Sequence, residues 1–204
     1  MSAGDVRGAQ VGLVNVARGR VRGAQVGLIN VADDADLGVG IVNAYRESRR
    51  RLRLMLDSDA VLRGELHHGS RYLRSILVLG APLTSDRQLR AGWGLGARLT
   101  LGRGVELALD ALALGLFPLV GQEATPDLLT ELRASVTVEV SESVALVVGA
   151  ALQTQLSWRA QPLGGVGRLY RTRLDELTGE PVESLESEPA SFVSPLLSVG
   201  LELR

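Results

Sequence analysis

The stretch Gln88–Gly102, QLRAGWGLGARLTLG, decides the fold class of this chain. From Leu89 to Leu101 every second residue is apolar, and the residues between are glycine, arginine or threonine. Apolar residues on a helix would recur every three or four positions, whereas a period of two places them all on one face of a β-strand. The stretch therefore predicts a long strand with one apolar and one polar face.

The same alternation continues along the second part of the chain. It is clear in LLTELRASVTVEV (128–140), VALVVGAALQTQLSW (144–158) and PLLSVGLELR (195–204). Two other stretches, 71–82 and 104–117, are apolar on both faces for part of their length but still indicate strands. We predict about eight strands, near residues 49–57, 60–68, 71–82, 88–102, 104–117, 128–140, 143–158 and 194–204.

The connections between these strands alternate in length. Tight turns follow Gly102 and Val140, whereas the connection 118–127 is longer and 159–193 is a long polar loop. An antiparallel meander puts alternate connections at opposite ends, so one end is trimmed and the other is elaborated, as in bacterial outer-membrane barrels. We predict an all-β fold, with an antiparallel up-and-down β-barrel over residues 49–204.

Alternation alone leaves the direction of the apolar face open. In a soluble barrel the Leu/Val face would line the interior and bind an apolar ligand, whereas in a membrane barrel it would meet lipid. The strand lengths favour the membrane, because a tilted membrane strand needs about 9–11 residues and globular strands are shorter. The near absence of aromatic girdles favours the soluble barrel. The membrane barrel is our prediction, and the soluble barrel is the alternative.

A membrane barrel would turn the polar faces of its strands into the lumen. An eight-stranded barrel has an interior just wide enough to be filled by side chains, and buried charges there must be paired. The predicted lumen charge network consists of Arg53, Arg63, Glu65, Arg90, Arg98, Glu106, Asp110, Glu131, Arg133, Glu139 and Glu202.

The N-terminal part of the chain, residues 1–48, contains a repeat. VRGAQVGLVNVARGR (6–20) is followed by the near-copy VRGAQVGLINVADDA (21–35) and by a degraded copy, DLGVGIVNAY (36–45). A fifteen-residue period made of three five-residue units suits one coil of a β-solenoid, each unit forming a side. In the alternative interpretation the copies add strands to the barrel, which then has about 10–12. Stacked amides would form a ladder between coils, through Gln10, Asn15, Gln25, Asn30 and Asn43.

The units GAQVGLVNVA (8–17) and GAQVGLINVA (23–32), followed by alternating strands, resemble bacterial surface-repeat proteins with tandem G-x-Q-x-G-L-x-N-x-A units. The resemblance covers about the first 45 residues. Proteins of that family are generally regarded as outer-membrane or surface-associated, without an established activity. The resemblance implies that this chain lies in the outer membrane, with the lipid bilayer as its partner. The start MSAGDVRG lacks the apolar core of an export signal, so we expect a mature or trimmed chain.

Composition and motifs offer little chemistry. Basic and acidic residues are nearly balanced, which argues against nucleic-acid binding, and the chain has no cysteine. In ELHHGS (65–70) a strand would put Glu65 and His67 on one face and His68 and Ser70 on the other, so the set cannot converge. We therefore expect no catalytic residue, no cofactor and no metal ligand. A membrane-barrel hydrolase is the weakest alternative.

The sequence as a whole predicts a non-enzymatic outer-membrane barrel. Its expected role is structural, surface-interacting or that of a small channel. If a surface partner exists, we expect it to bind through the loop 159–193, which is rich in glutamate, proline and serine.

Overall fold

The computed structural model describes residues 4–47, 50–70, 72–84, 88–102, 104–117, 127–157, 170–172 and 190–204. None of these residues is helical, so none belongs to a helix long and apolar enough to cross a membrane. The strands are β1 Val6–Val11, β2 Val14–Val16, β3 Arg20–Val26, β4 Ile29–Ala32, β5 Asp34–Val39, β6 Val42–Tyr45, β7 Arg51–Asp57, β8 Val61–Gly69, β9 Leu73–Pro82, β10 Leu89–Gly102, β11 Val105–Phe117, β12 Asp127–Glu139, β13 Val144–Ser157, β14 Tyr170–Thr172 and β15 Ala190–Leu203.

Strands β7 to β13 and β15 form a closed antiparallel barrel of eight strands. Each strand pairs with the next along the chain, and β15 pairs with both β13 and β7, which closes the cylinder. The predicted eight-stranded up-and-down barrel is confirmed. The short strand β14, which pairs with β15, was not predicted, and β15 begins at Ala190 rather than near residue 194. Most of the predicted loop 159–193 lies outside the described residues.

The two ends of the barrel differ in their connections. The short-turn end carries the connections 70–72, 103–104 and 140–143, together with the start of β7 and the end of β15. The long-loop end carries the connections 58–60, 83–88, 118–126 and the segment between β13 and β15. The connections at the first end are all short, as the sequence predicted from the alternating connection lengths.

The charged faces of the strands point into the barrel and the Leu/Val faces point out. Strand β12 shows the pattern: Glu131, Arg133 and Ser135 are buried, whereas Leu132 and Val136 are exposed. In β7 and β13 the exposed residues are likewise apolar, although the buried face of β7 includes Met55 and that of β13 carries Ala145 and Val147 as well as Gln153 and Gln155. The alternative of a lumen lined by leucine and valine does not fit this arrangement.

One part of the lumen is nevertheless apolar. Ile76, Val78, Leu112, Leu114, Leu116 and Leu129 form a buried cluster towards the long-loop end, on β9, β11 and β12. Strand β10 makes room for it with lumen-facing glycines: a Cβ on Gly94 would lie 2.3 Å from the side chain of Leu112. The second half of β11, from Ala111, is therefore apolar on both faces because one face meets this cluster and the other is the outer wall.

The repeats form their own structure and add no strand to the barrel. Strands β1, β3 and β5 make one parallel three-stranded sheet, and β2, β4 and β6 make a second. Residues one period apart are partners, such as Val6 with Val21 and Asn15 with Asn30, so successive copies stack as coils. Each coil has two strands instead of the three sides we predicted. The third five-residue unit, around Arg18 and Gly19, turns the chain back to the next coil.

The third coil departs from the first two at its centre. Ala32 of the second coil stacks on Tyr45, and Gln25 stacks on Gly38. A Cβ on Gly38 would lie 2.1 Å from the Tyr45 hydroxyl oxygen. The tyrosine ring thus fills the space that a glutamine would need in this coil, and the exchange of small and large residues keeps the core filled.

Candidate functional site: the lumen ion network and the seat of the repeats

The centre of the barrel is occupied by Arg133 of β12. Its Nη1 and Nη2 atoms donate to the two carboxylate oxygens of Glu65 on β8, at 2.5 and 2.9 Å. Nη2 also donates to Asp110 on β11 at 3.0 Å. The three side chains are fully buried. The forked pair with Glu65 joins strands on opposite sides of the sheet order, so it braces the cylinder across its lumen.

Further ion pairs lie on each side of this centre. Towards the long-loop end, Arg63 donates to Asp57 at 2.7 Å and to Glu131 at 3.0 Å, and Arg90 contacts Asp59. Towards the short-turn end, Arg51 and Arg53 donate to Glu202 at 2.6 and 2.7 Å, and Arg98 lies 3.1 Å from Glu106. The lumen is therefore a continuous network of paired charges rather than an empty pore.

Most of the predicted network residues lie inside the barrel. Those that face the lumen are Arg53, Arg63, Glu65, Arg90, Arg98, Glu106, Asp110, Glu131, Arg133 and Glu202. Glu139 lies instead at the rim, where it accepts a hydrogen bond from Arg204 at 2.9 Å. The sequence analysis missed Arg51, Asp57 and Arg74, which share the lumen face of their strands. The alternation in RLRLML (51–56) places Arg51 on the same strand face as Arg53, so the sequence could have identified it.

The ELHHGS segment does not form a catalytic set. Glu65 and His67 both face the lumen, where a ring nitrogen of His67 lies 2.9 Å from the Glu65 carboxylate. His68 lies on the outer face and Ser70 lies beyond the end of β8. Within the described ranges no group of three potential ligands is placed to hold a metal ion. The segment serves the lumen network with one face and the repeats with the other.

A cavity of about 390 Å³ lies at the short-turn end, between the repeats and the lumen. Arg51, Arg74 and Arg98 line it from the barrel, and Asp34 and Glu47 line it from the third coil. Arg74 donates to Asp110 through Nη2, but its Nε and Nη1 groups have no hydrogen-bond partner in the described part of the chain. These groups can donate to water or to a small anion that enters the cavity.

The repeat amides form the stacked arrangement that the sequence suggested. Asn15 donates to the side chain of Asn30 at 2.8 Å, and Asn30 donates to that of Asn43 at 2.7 Å. Gln25 donates to Gln10 at 2.8 Å, and this second stack stops there because Gly38 follows. The asparagines are buried, so the ladder satisfies amides that would otherwise be stranded in the core.

The asparagine ladder ends on the barrel wall. Asn43 donates to the hydroxyl of Ser75 on β9 at 2.6 Å, and Ser75 donates in turn to the carbonyl oxygen of Gly40 at 2.5 Å. A ring nitrogen of His68 lies 3.2 Å from the carbonyl oxygen of Ile41. His68 and Ser75 are partners across β8 and β9, and both face outward. This pair is the seat on which the third coil rests.

The side of the repeats near the lumen mouth is charged. Arg20 forms ion pairs with Asp34 and Glu47, and the pKa of its guanidinium is raised by the hydrogen bond to Glu47 and by the charge of Asp34. Burial raises the pKa of the nearby Tyr45 hydroxyl, and the charge of Asp34 adds to the effect. We call Arg20, Asp33, Asp34, Arg46 and Glu47 the charged corner.

Comparison with known proteins gives no match: no family model, no curated protein and no solved structure is detectably similar to this chain.

Proposed function

We propose that this protein is a non-enzymatic outer-membrane β-barrel with a structural or surface-interaction role, its outer wall in contact with lipid. The observation that carries the proposal is an apolar belt to which each of the eight strands contributes an exposed leucine or valine. Representatives, one for each strand, are Leu54, Leu62, Leu79, Leu99, Leu109, Leu132, Val148 and Val199.

A water-facing protein surface carries charged side chains, and the belt differs from such a surface. Among the described outward positions of the eight strands there is no Asp, Glu or Arg. Of the polar exceptions, His68 and Ser75 are covered by the repeats, and Thr130 and Thr154 are partners across β12 and β13. Exposed apolar patches of this extent mark a membrane or protein interface, and the inverted faces with a charged interior are those of a membrane barrel.

The filled lumen favours a structural role over conduction. Arg53, Arg63, Glu65 and Arg133 have no exposed surface in the middle of the barrel. A water-filled channel would hydrate such groups, whereas here they are paired with one another. We therefore leave the small-channel role aside and propose that the network holds the cylinder rigid within the bilayer.

The position of the repeats gives the proposal an orientation. Short turns of bacterial barrels face the periplasm and longer loops face the outside. The repeats rest at the short-turn end, so in this proposal they lie on the periplasmic side. The end of the barrel at which β13 ends and β15 begins would then face outward, as the side for a surface partner. A surface location of the repeats themselves, which the family resemblance implies, does not follow.

The test uses spin labels in phospholipid vesicles. The chain contains no cysteine, so Val136→Cys, Val148→Cys and Val199→Cys each introduce a single thiol on the outer wall. We expect mobile labels that dissolved oxygen reaches and a water-soluble nickel chelate does not. Labels that are shielded from both, or a protein that is monodisperse without detergent, would refute the membrane proposal.

A further inference from the structure

The repeats carry an exposed row of large apolar side chains that their own fold does not use. At the turn between the two strands of each coil, a glycine is followed by two aliphatic residues, and these pairs stack from coil to coil. We call this row the apolar edge: Leu13, Val14, Leu28, Ile29, Ile41 and Val42. Leu13, Leu28 and Ile41 are 74%, 50% and 44% exposed.

The apolar edge lies on the side of the coils nearer the belt. In the third coil, Gly38 donates its backbone N–H to Ser70 in the turn beyond β8, whereas Ile41 lies beside His68, further along the strand. The next outward pair beyond His68 and Ser75 is Leu66 with Leu77, about 7 Å along the wall at the usual rise per residue. The edge therefore begins where the belt begins.

The opposite side of the coils has the opposite character. The charged corner lies by the lumen mouth, where Asp34 and Glu47 line the cavity together with Arg51 of β7. Each coil thus presents aliphatic side chains on the belt side and ion-paired side chains on the mouth side. Elements that lie in a membrane interface have the same two-sided character, with the apolar side towards the acyl chains and the polar side in water.

We propose that the repeat segment is an interfacial device whose apolar edge inserts among the lipid acyl chains of the leaflet at the short-turn end. The proposal rests on the lipid-facing barrel described above. Stacked coils lie about 4.8 Å apart, so the three coils extend the belt sideways from the wall of β8 and β9. Each further copy of the repeat would lengthen the inserted row by one rung.

Single-cysteine spin labels in vesicles test this together with the barrel. Leu13→Cys and Leu28→Cys report on the apolar edge, Arg18→Cys is a matched control on the opposite turn of the first coil, and Val148→Cys reports on the barrel. We expect the oxygen-to-nickel accessibility ratio at positions 13 and 28 to shift to the lipid-like value of position 148. We expect position 18 to stay water-like.

Two outcomes overturn the inference and leave the barrel proposal standing: water-like labels at positions 13 and 28 with a lipid-like label at 148, or labels at 13 and 28 shielded from both probes. The second outcome would mean that a protein surface or a second copy covers the edge, and dipolar broadening between labels would identify the second copy. A label at Val148 that is not lipid-like would instead refute the membrane barrel.

Discussion

Replacing Arg133 with leucine should destabilise the barrel strongly, because two buried carboxylates lose their shared cation. Glu65 would lose a forked pair at 2.5 and 2.9 Å, and Asp110 would lose two hydrogen bonds, at 3.0 and 3.3 Å. Both keep other partners: Glu65 keeps the ring of His67 at 2.9 Å and the guanidinium of Arg63 at 3.5 Å, and Asp110 keeps Arg74 at 2.5 Å. Breaking a buried pair from one side costs about 3–5 kcal/mol, and the remaining partners hold the loss within that range.

The measurement is the urea concentration at the midpoint of unfolding, for the protein in vesicles, with unfolding monitored by the loss of tryptophan fluorescence. A matched control is Arg98→Leu, nearer the rim, whose partners Glu106 and Glu202 both keep Arg51, at 2.7 and 2.6 Å. Since Arg98 is partly exposed, we expect its replacement to cost about 1 kcal/mol. The double variant Arg133→Leu with Glu65→Leu should recover part of the loss, because it removes an uncompensated charge along with its partner. The reasoning is wrong if the midpoint of Arg133→Leu is unchanged, or if the double variant loses the sum of both single effects.

Three further changes test the outer wall and the repeats. Val148→Arg should lower the free energy of unfolding in vesicles by about 2–4 kcal/mol. Val140→Arg, beyond the end of β12, should lower it by about 1 kcal/mol or less, because a charge near the strand end reaches the headgroups. Equal shifts of the two urea midpoints would contradict a lipid-facing wall. Asn30→Ala removes the middle rung of the ladder, so the buried side-chain oxygen of Asn43 loses its donor and the side-chain N–H of Asn15 loses an acceptor. The free energy of opening of β4, read from amide hydrogen exchange, should therefore fall by about 1–3 kcal/mol. Gln10→Ala, at the half-exposed end of the glutamine stack, is its control and should change little. Gly38→Gln should make the chain sensitive to trypsin at Arg20 and Arg22, because the new side chain collides with the Tyr45 ring. Adding Tyr45→Ala should restore resistance, because it recreates the glutamine and alanine of the first two coils. A double variant as sensitive as the single one would refute the idea that Tyr45 replaces a glutamine in the third coil.

Much of the barrel was predictable because its strands are long and their two faces meet different surroundings. A period of two is then kept without interruption, as from Leu89 to Leu101, and the strand ends fall close to the predicted ones. Strand β11 was harder to interpret, because its lumen face changes from Glu106 and Asp110 to the leucines of the apolar cluster. The space for those leucines comes from the glycines of β10, a neighbour whose register the sequence does not state.

The partners within the charge network were not predictable. Alternation tells which face a side chain occupies but not its height in the lumen, which depends on the stagger of the strands. Arg133 thus meets Glu65, from a strand far along the sheet, and Glu139 shares the correct face yet lies at the rim. For the same reason the seat at Ser75 was missed: a lone serine on an outer wall gives no sign that an asparagine ladder ends there.

The seam between β7 and β15 also fixes the order in which the molecule can fold. It joins Leu52 to Leu203, so the cylinder cannot close until the last strand has been made. The coils, by contrast, join residues fifteen apart and pay little loop entropy, so they can form while most of the barrel is still open. A chain that ended before Ala190 would keep two unpaired strand edges, on β7 and β13, and such edges invite pairing with other chains. Pairing of β15 with both edges removes them, so aggregation through strand edges is a risk only until β15 is in place.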